Sequence, residues 1–470
     1  MRTTIFIALL NLLALRSQGQ EVVRFDSAYV NNGGGFAFGV SVFETDLGYR
    51  LFSLQRRLND DTQDLYSTLF DNVGNRIDER FVETPVIDWM GRYSPVVAVY
   101  NGYFAGVARA LPGNIIDSLF LYKFDLQGDT VWTRLIDVDT TFLMRGFAMT
   151  RRSRLLISGL HELPEEAYVY VLDTLGDSLA YYAFQDFDPE DVEEGKDGRI
   201  YVTGRGSVGA NYGRSVLICS DTIGNELWRR TDAIYGNHHQ LIATRDSSIV
   251  ALGSRGDGVT PGRAKIVKYS RNGALQWLEE PIAASFNDWA SYLNAGFENP
   301  DGTFIVAGWL RDTIHGQVGM LFQLDSEGNT LWQRFYAHYP SFQSNDDQIF
   351  YDVKRTSDGG LVLTGETNGG DFPYAQLWLL KLDSAGCLVP GCGSVGVQEY
   401  TDLFNGQLAI SPNPASEQTH VALSLPEGFT TTGALQLFLL DAQGRVVLQQ
   451  PAPENLNVIT GALVLSGLAS

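Results

Sequence analysis

An all-β fold, a ring of seven four-stranded sheets with a smaller β-unit behind it, is predicted by three observations on this 470-residue chain. One unit recurs seven times between Phe36 and Gly386, and the glycine that ends its turn recurs at Gly74, Gly128, Gly176, Gly224, Gly273, Gly328 and Gly386, 48 to 58 residues apart. The composition holds 26 Phe, 21 Tyr and 49 Gly against five Met, which favours many short strands and tight turns over helices. No sustained helical apolar period follows residue 20. A period near fifty residues made of alternating strands is the mark of radial repetition, in which each sheet hides its faces against its neighbours. These observations predict a seven-bladed β-propeller over residues 20–396, a linker at 397–407 and a small β-sandwich at 408–470.

The amino end reads as a signal peptide over 1–19. Arg2 precedes the apolar run Ile5 to Leu15, and Ser17-Gln18-Gly19 offers small residues for cleavage. That run is too short for a permanent membrane anchor, and no other segment approaches transmembrane length. Export to the medium or the outer cell surface follows. With 55 acidic and 34 basic residues the net charge is -21, a field that repels phosphate backbones and argues against a nucleic-acid partner. Acidity also keeps an exported protein soluble.

Each unit opens with two apolar strands around a tight turn, best seen in Tyr351 to Gly365, Ala295 to Gly308, Asp191 to Gly204 and Leu241 to Gly253. A third strand, an Asp-x-x-Gly turn and an aromatic, basic fourth strand follow, as in Asp325 to Gly328 with Trp332 and Arg334. Strand D is outermost, so Trp132, Trp228, Trp277 and Trp332 are expected to pack between blades while Arg134, Arg230 and Arg334 bridge to acidic neighbours. The seventh unit lacks its fourth strand. Glu21-Val22-Val23-Arg24-Phe25 resembles the Trp332 strand in pattern and is expected to complete that blade and close the ring.

After Gly386 comes a loop with Cys387 and Cys392, where Pro390 and Gly391 can bend the chain enough to join the sulfurs. A disulfide is preferred there to a metal site, because no second Cys or His pair completes a zinc tetrahedron. Cys219, in an apolar strand, is expected to be a buried free thiol.

From Leu408 the repeat gives way to other alternating strands. Ser411-Pro412-Asn413-Pro414-Ala415, then Asp441-x-x-Gly444-Arg445-Val446-Val447 and Leu465-Ser466-Gly467-Leu468, resemble the C-terminal sorting domain of the type IX secretion system of Bacteroidetes. The propeller body resembles the cargo of that system more loosely. The resemblance implies passage across the outer membrane through contact between this domain and the secretion machinery, followed by release or surface attachment. The chain stops at Ser470, where the family continues with Gly-x-Tyr, a further strand and a basic tail; a fragment is preferred to a defective signal.

Several short strings invite enzymatic readings that the repeat explains better. Gly176-Asp177-Ser178-Leu179 spells a lipase nucleophile block but occupies the same turn as Gly128-Asp129. Gly204-x-Gly206-x-x-Gly209 is followed by a strand, so no helix N-terminus is offered to a pyrophosphate. Arg255-Gly256-Asp257 is an adhesion tripeptide in a Gly-rich loop, and the adjacent His238 and His239 are expected to be exposed. One constellation remains. Asn32, Asp88, Asp139, Asp188, Asn237, Asp288 and Asp346 stand just ahead of each innermost strand, with Trp89, Glu190, Asp191, Trp289, Asn345 and Asp347 beside them. At a channel mouth, Asp88, Asp139, Asp188, Asp288, Asp346 and Asp347 could hold Ca2+, or with Trp a sugar ring. The competing role is capping of the turn into each strand.

The sequence therefore predicts a secreted or surface-attached, non-catalytic binding or adhesion propeller for a protein or glycan ligand, with no cofactor besides Ca2+. The rival readings are a propeller enzyme acting on polysaccharide or peptide, a quinoprotein-like dehydrogenase, whose repeats Asp-x-x-Gly-x-x-x-Trp resembles, and a scaffold for a partner subunit.

Overall fold

A computed structural model describes residues 23–30, 35–56, 63–82, 87–89, 96–111, 115–137, 142–162, 165–207, 209–256, 262–281, 288–312, 316–339, 347–369 and 372–388. It also describes the backbone of six strands between 408 and 464. In chain order, β1 (Phe25–Tyr29) precedes a meander of β2 (Ala37–Thr45), β3 (Gly48–Arg56), β4 (Gln63–Phe70) and β5 (Arg76–Val82). Next come β6 (Ile87–Trp89), β7 (Val96–Val99), β8 (Gly102–Leu111), β9 (Ile115–Phe124) and β10 (Thr130–Asp137). A third group holds β11 (Phe142–Met149), β12 (Leu155–Glu162), β13 (Glu165–Leu172) and β14 (Ser178–Phe184). β15 (Phe187–Glu194), β16 (Ile200–Gly206), β17 (Arg214–Ser220), β18 (Glu226–Ala243), β19 (Ile249–Arg255), β20 (Arg263–Tyr269) and β21 (Leu275–Glu279) follow. The ring is completed by β22 (Asp288–Glu298), β23 (Phe304–Asp312), β24 (Gly316–Leu324), β25 (Thr330–Tyr336), β26 (Gln348–Arg355), β27 (Leu361–Gly369) and β28 (Phe372–Leu382).

These strands make an all-β propeller of antiparallel meanders, and among the described residues they pair into six sheets rather than seven separate ones. Five stand as discrete blades: β2–β5, β6–β10, β11–β14, β22–β25, and β26–β28 with β1. The sixth has seven strands, β15 to β21, because β18 runs unbroken for 18 residues from an outer edge to the centre. Residues that hold β18 extended at its crossover account for this difference from the expectation. Asp232 accepts from Lys265 and, at 3.4 Å, from the Tyr269 hydroxyl, while Gly236 N–H donates to Gly213 and Gly256 N–H to Tyr235, both at 2.9 Å. A crossover hydrogen-bonded on both sides has no reason to bend.

The core lies between sheets. Val40 and Phe52 of one blade pack with Ala105 and Phe124 of the next, and Ile266 meets Phe304 and Phe322 in the same way. Each fully buried side chain of this size contributes about 1.5–3 kcal/mol.

The innermost strands share one irregularity. β2, β11, β15, β18, β22 and β26 each carry a bulge, whose extra residues are Val40, Arg145, Glu190, His239, Asn294 and Tyr351. The partner strand then passes so close that it needs glycine. A Cβ at Gly204, Gly253, Gly308 or Gly365 would lie 1.8 to 2.1 Å from a carbonyl oxygen of the bulged strand. Polar side chains next to the bulge pin neighbouring inner strands: Asp191 accepts from Leu241 N–H at 2.8 Å, Asp352 from Val42 N–H at 3.0 Å, and Asn294 donates to Phe350 C=O at 2.9 Å.

Closure follows the expected route with a shift along the chain. β1, at Phe25–Tyr29 rather than Glu21–Phe25, pairs antiparallel with β28, Phe25 opposite Lys381 and Tyr29 opposite Leu377. Asp26 explains the register: one carboxylate oxygen receives the Trp378 indole N–H at 2.7 Å and meets His338 Nδ1 at 2.7 Å. Arg24 adds an ion pair to Asp383 at 3.0 Å.

The Asp-x-x-Gly turns link successive units. In each of the seven, six opened by Asp and one by Ser270, the glycine N–H returns to the first residue's carbonyl at 2.8 to 3.2 Å with φ between +72° and +91°. The previous unit's outer strand leans on that glycine: Trp228 on Gly273, Trp277 on Gly328, Trp332 on Gly386, Tyr182 on Gly224, Arg134 on Gly176, and Phe25 of the closing strand on Gly74. At the remaining junction Arg80 pairs with Asp129. Trp228 and Trp277 also donate to the Arg271 and Ser326 carbonyls at 3.0 and 3.1 Å. Trp132 packs on Phe104 of its own sheet and against the apolar cluster that this sheet shares with β11–β13. Of the arginines, Arg134 finds the carboxylate of Asp177, whereas Arg230 donates to the Gly273 carbonyl and Arg334 to that of Gln333.

Beyond the propeller, β29 (Leu408–Ser411), β30 (Gln418–Ser424), β31 (Gln436–Leu440), β32 (Val446–Pro451), β33 (Glu454–Asn455) and β34 (Val458–Val464) form a four-stranded sheet, β29-β30-β34-β33, and a β31–β32 hairpin. Pro412, Asn413, Pro414, Asp441, Gly444 and Arg445 lie outside the described residues, as do the signal peptide and Cys392. Cys387 is buried, and so is Cys219, a free thiol that burial pushes up to about 11.

Candidate functional site

The acidic residues picked out ahead of the inner strands do not gather into one ring of ligands. Asp139 and Asp346 lie outside the described residues, with Asn32 and Asn345. Asp88, Asp188, Asn237 and Asp288 sit within strands rather than in the loops before them, because β6, β15, β18 and β22 begin earlier than the repeat suggests. In register, Asp88 faces Arg109, Asp188 faces Arg205 and Asp288 faces Asp312.

Where side chains are described, the carboxylates have cationic partners. Asp188 is buried and accepts from Arg205 at 3.0 Å; Asp347 accepts from Arg311 at 3.2 Å. A calcium ion would have to displace those guanidinium groups. Among the described residues, no group of three or more His, Cys, Asp or Glu is placed to hold a metal.

His238 and His239, expected to be exposed, are buried at 1% and 6% exposure. They fall at the bulge of β18, which turns both rings inward. His238 Nδ1 lies 3.0 Å from the Thr203 hydroxyl, and the His239 ring packs on Tyr292 with centroids 5.6 Å apart. Burial, with Lys265 nearby, holds both rings below the ordinary range, His239 at about 4. Arg255 pairs with Glu280, while Asp257 of the same tripeptide lies outside the described residues. Gly204 and Gly206 end β16 and are followed by a three-residue helical turn and β17.

A site that the repeat did not single out lies on the axis. A central cavity of about 510 Å³ is lined from β2, β7, β11, β15, β18, β22 and β26, so every innermost strand contributes. Its apolar wall includes Phe43, Val96, Phe147, Met149 and Phe297; its polar side includes Asp191, Glu193, Gln240 and Glu298. Exposed Lys196 and Arg245 stand where it meets solvent. Burial drives the two β15 carboxyls upward, Asp191 to about 7 and Glu193 to about 8, and the nearness of Asp191 raises Glu193 further. The opposing cations are engaged elsewhere. Arg245 donates its backbone N–H to Glu298 at 2.7 Å and its guanidinium to the Pro300 carbonyl, and Lys354 donates to Asp352 at 2.7 Å. The cavity thus offers proton-bearing carboxyls facing an apolar wall. The signal in the sequence was there: Phe187 to Glu194 is the most acidic inner strand, and Glu193 stands where β2, β18, β22 and β26 place Phe43, Ile242, Phe297 and Lys354.

No protein-family model matches the chain, and no curated protein matches it. Solved structures do. The β-propeller domain of the trilobed protease from Pyrococcus furiosus is 13% identical over 73% of this chain and 95% of that one, with a TM-score of 0.44. A protein of unknown function from Bacteroides caccae is 12% identical over 64% and 94%, with a TM-score of 0.38. The acylaminoacyl peptidase of Pyrococcus horikoshii is 10% identical over 83% of this chain and 58% of that one, with a TM-score of 0.44. Likenesses this distant carry no argument about activity. The chain is an all-β propeller on the strength of its own strand topology.

Proposed function

We propose that this chain is a secreted or surface-attached binding propeller without catalytic activity, which receives part of its ligand in the central cavity. The observation that carries the reading is a division of labour. Residues that recur in every unit are consumed in joining units, whereas the cavity is lined by side chains that differ from strand to strand. A repeated position supports a packing solution; a set of unlike residues converging on one space supports a ligand. The ring counts as seven blades when the seven-stranded sheet is taken as two that share β18, a count supported by the seven turns and the seven inner strands. The strands after 408 are read as a small Ig-like sandwich that addresses the chain to the type IX secretion machinery, and Cys387 and Cys392 as a disulfide.

A full-length chain followed in its own host should appear in the medium or on the outer surface; retention in the periplasm would contradict the export reading. Assayed on chromogenic glycosides, esters and peptide anilides, it should show no turnover. The enzymatic alternative has one observation in its favour, the protonated Glu193 beside Asp191, which resembles a general acid. Turnover that disappears in Glu193→Gln would establish that alternative.

A further inference from the structure

We propose that the central cavity takes a primary ammonium on an apolar stem, the chemistry of a lysine side chain in an extended peptide. The inference rests on the binding role proposed above and names the ligand class for that site. Three features of the cavity argue for it. Asp191 and Glu193 lie on one strand, β15, while Phe43, Val96, Phe147 and Phe297 come from β2, β7, β11 and β22, so a ligand reaching Glu193 passes its stem over apolar surface; the third carboxylate, Glu298 on β22, already accepts from Arg245 N–H. Two of the cavity's cations are occupied, Arg245 by Glu298 and Pro300, and Lys354 by Asp352, while the third, Lys196, is exposed at the rim. The Glu193 carboxyl meets the Glu194 backbone N–H and the more distant charge of Arg151, and the Gln240 side-chain oxygen, also in the lining, has no partner. An ammonium supplies three donors to such acceptors.

The peptide source is favoured by the size of the space and by its rim. A cavity of about 510 Å³ exceeds what a butylammonium fills, and exposed Lys196 can donate to a backbone carbonyl flanking the residue. Charge follows the same logic. The groups facing Glu193 are Asp191 and Glu194 on its own strand, Arg151 after β11, Lys196 at the β15–β16 turn, Arg245 after β18, Glu298 on β22 and Lys354 on β26. With Glu193 near 8 and Asp191 near 7, an incoming cation at neutral pH expels a proton. Affinity should therefore rise on the order of tenfold between pH 6.5 and 8.5.

The test is isothermal titration calorimetry on the full chain with Nα-acetyl-lysine methylamide, n-butylammonium and n-butanol, in two buffers of different protonation enthalpy. The expected result is binding of both ammonium probes but not the alcohol, proton release at pH 7, tighter binding of the lysine derivative, and loss of both heat and proton release in Glu193→Gln. Glu193→Asp, which keeps the carboxylate, should retain weakened binding and so separate lost chemistry from lost folding. Equal binding of n-butanol, or binding undiminished in Glu193→Gln, would overturn the ammonium inference and leave the cavity's binding role standing. Tighter binding of n-butylammonium than of the lysine derivative would overturn the peptide source. Absence of heat with every probe would overturn the inference, while export and turnover would still judge the function independently.

Discussion

Asp26 ties the amino end to two other parts of the ring. Its carboxylate accepts from the buried indole of Trp378 and meets His338, tying β1 to the last strand and to the chain following β25. Asp26→Ala leaves the indole N–H without its acceptor, so a loss of about 2–3 kcal/mol is expected in urea unfolding. Glu193 makes the opposite kind of contribution. Its folded value near 8 lies above that of an unfolded glutamate, so the folded state keeps a proton that the unfolded state has released. Stability attributable to it therefore falls as pH rises from about 4.5 to about 8. Glu193→Gln should melt with the wild type at pH 4 and be more stable by roughly 1–3 kcal/mol at pH 9. Neither residue was picked out by the repeat. Asp26 belongs to a segment whose partner lies some 350 residues away, and Glu193 differs from its counterparts in other units.

The turns were the most legible elements. Asp-x-x-Gly marked six of the seven and Ser270-x-x-Gly273 the other, because the motif is itself the mechanism: the first side chain takes N–H bonds from the turn, as Asp325 does from Glu327 and Asn329 at 3.0 and 2.8 Å and Ser270 from Ala274 at 3.1 Å, and glycine supplies the positive φ. What leans on the glycine was only partly legible, since Trp, Tyr, Arg and Phe all fill that role. Gly328→Ala puts a Cβ at φ +91°, 2.8 Å from the Trp277 ring. It should cost about 2–3 kcal/mol in equilibrium unfolding. A cost near zero would mean that the ring does not rest there. The bulges were not legible at all. A single extra residue leaves the apolar pattern almost intact, yet it moved Glu190 and His239 inward and turned an expected exposed histidine pair into a buried one. β18 was missed for a related reason, because its continuity depends on bonds from both flanking meanders.

For the molecule as a whole, unlike units are held in one ring by contacts passed from turn to turn, and the amino end closes it. β1 is bonded within the last sheet through β28, and it reaches forward to the first turn, where Phe25 packs on Gly74 and the Tyr29 hydroxyl donates to the Gly74 carbonyl. Removing it would unpair an edge of β28 and strip the cover from that turn, so closure and stability should fail together. Amide hydrogen exchange on the full chain measures this most directly. If the ring is closed as described, amides of Phe25–Tyr29 and of Leu377–Lys381 exchange slowly and lose protection together as denaturant rises. Fast exchange along Phe25–Tyr29 while β27 and β28 remain protected would contradict it.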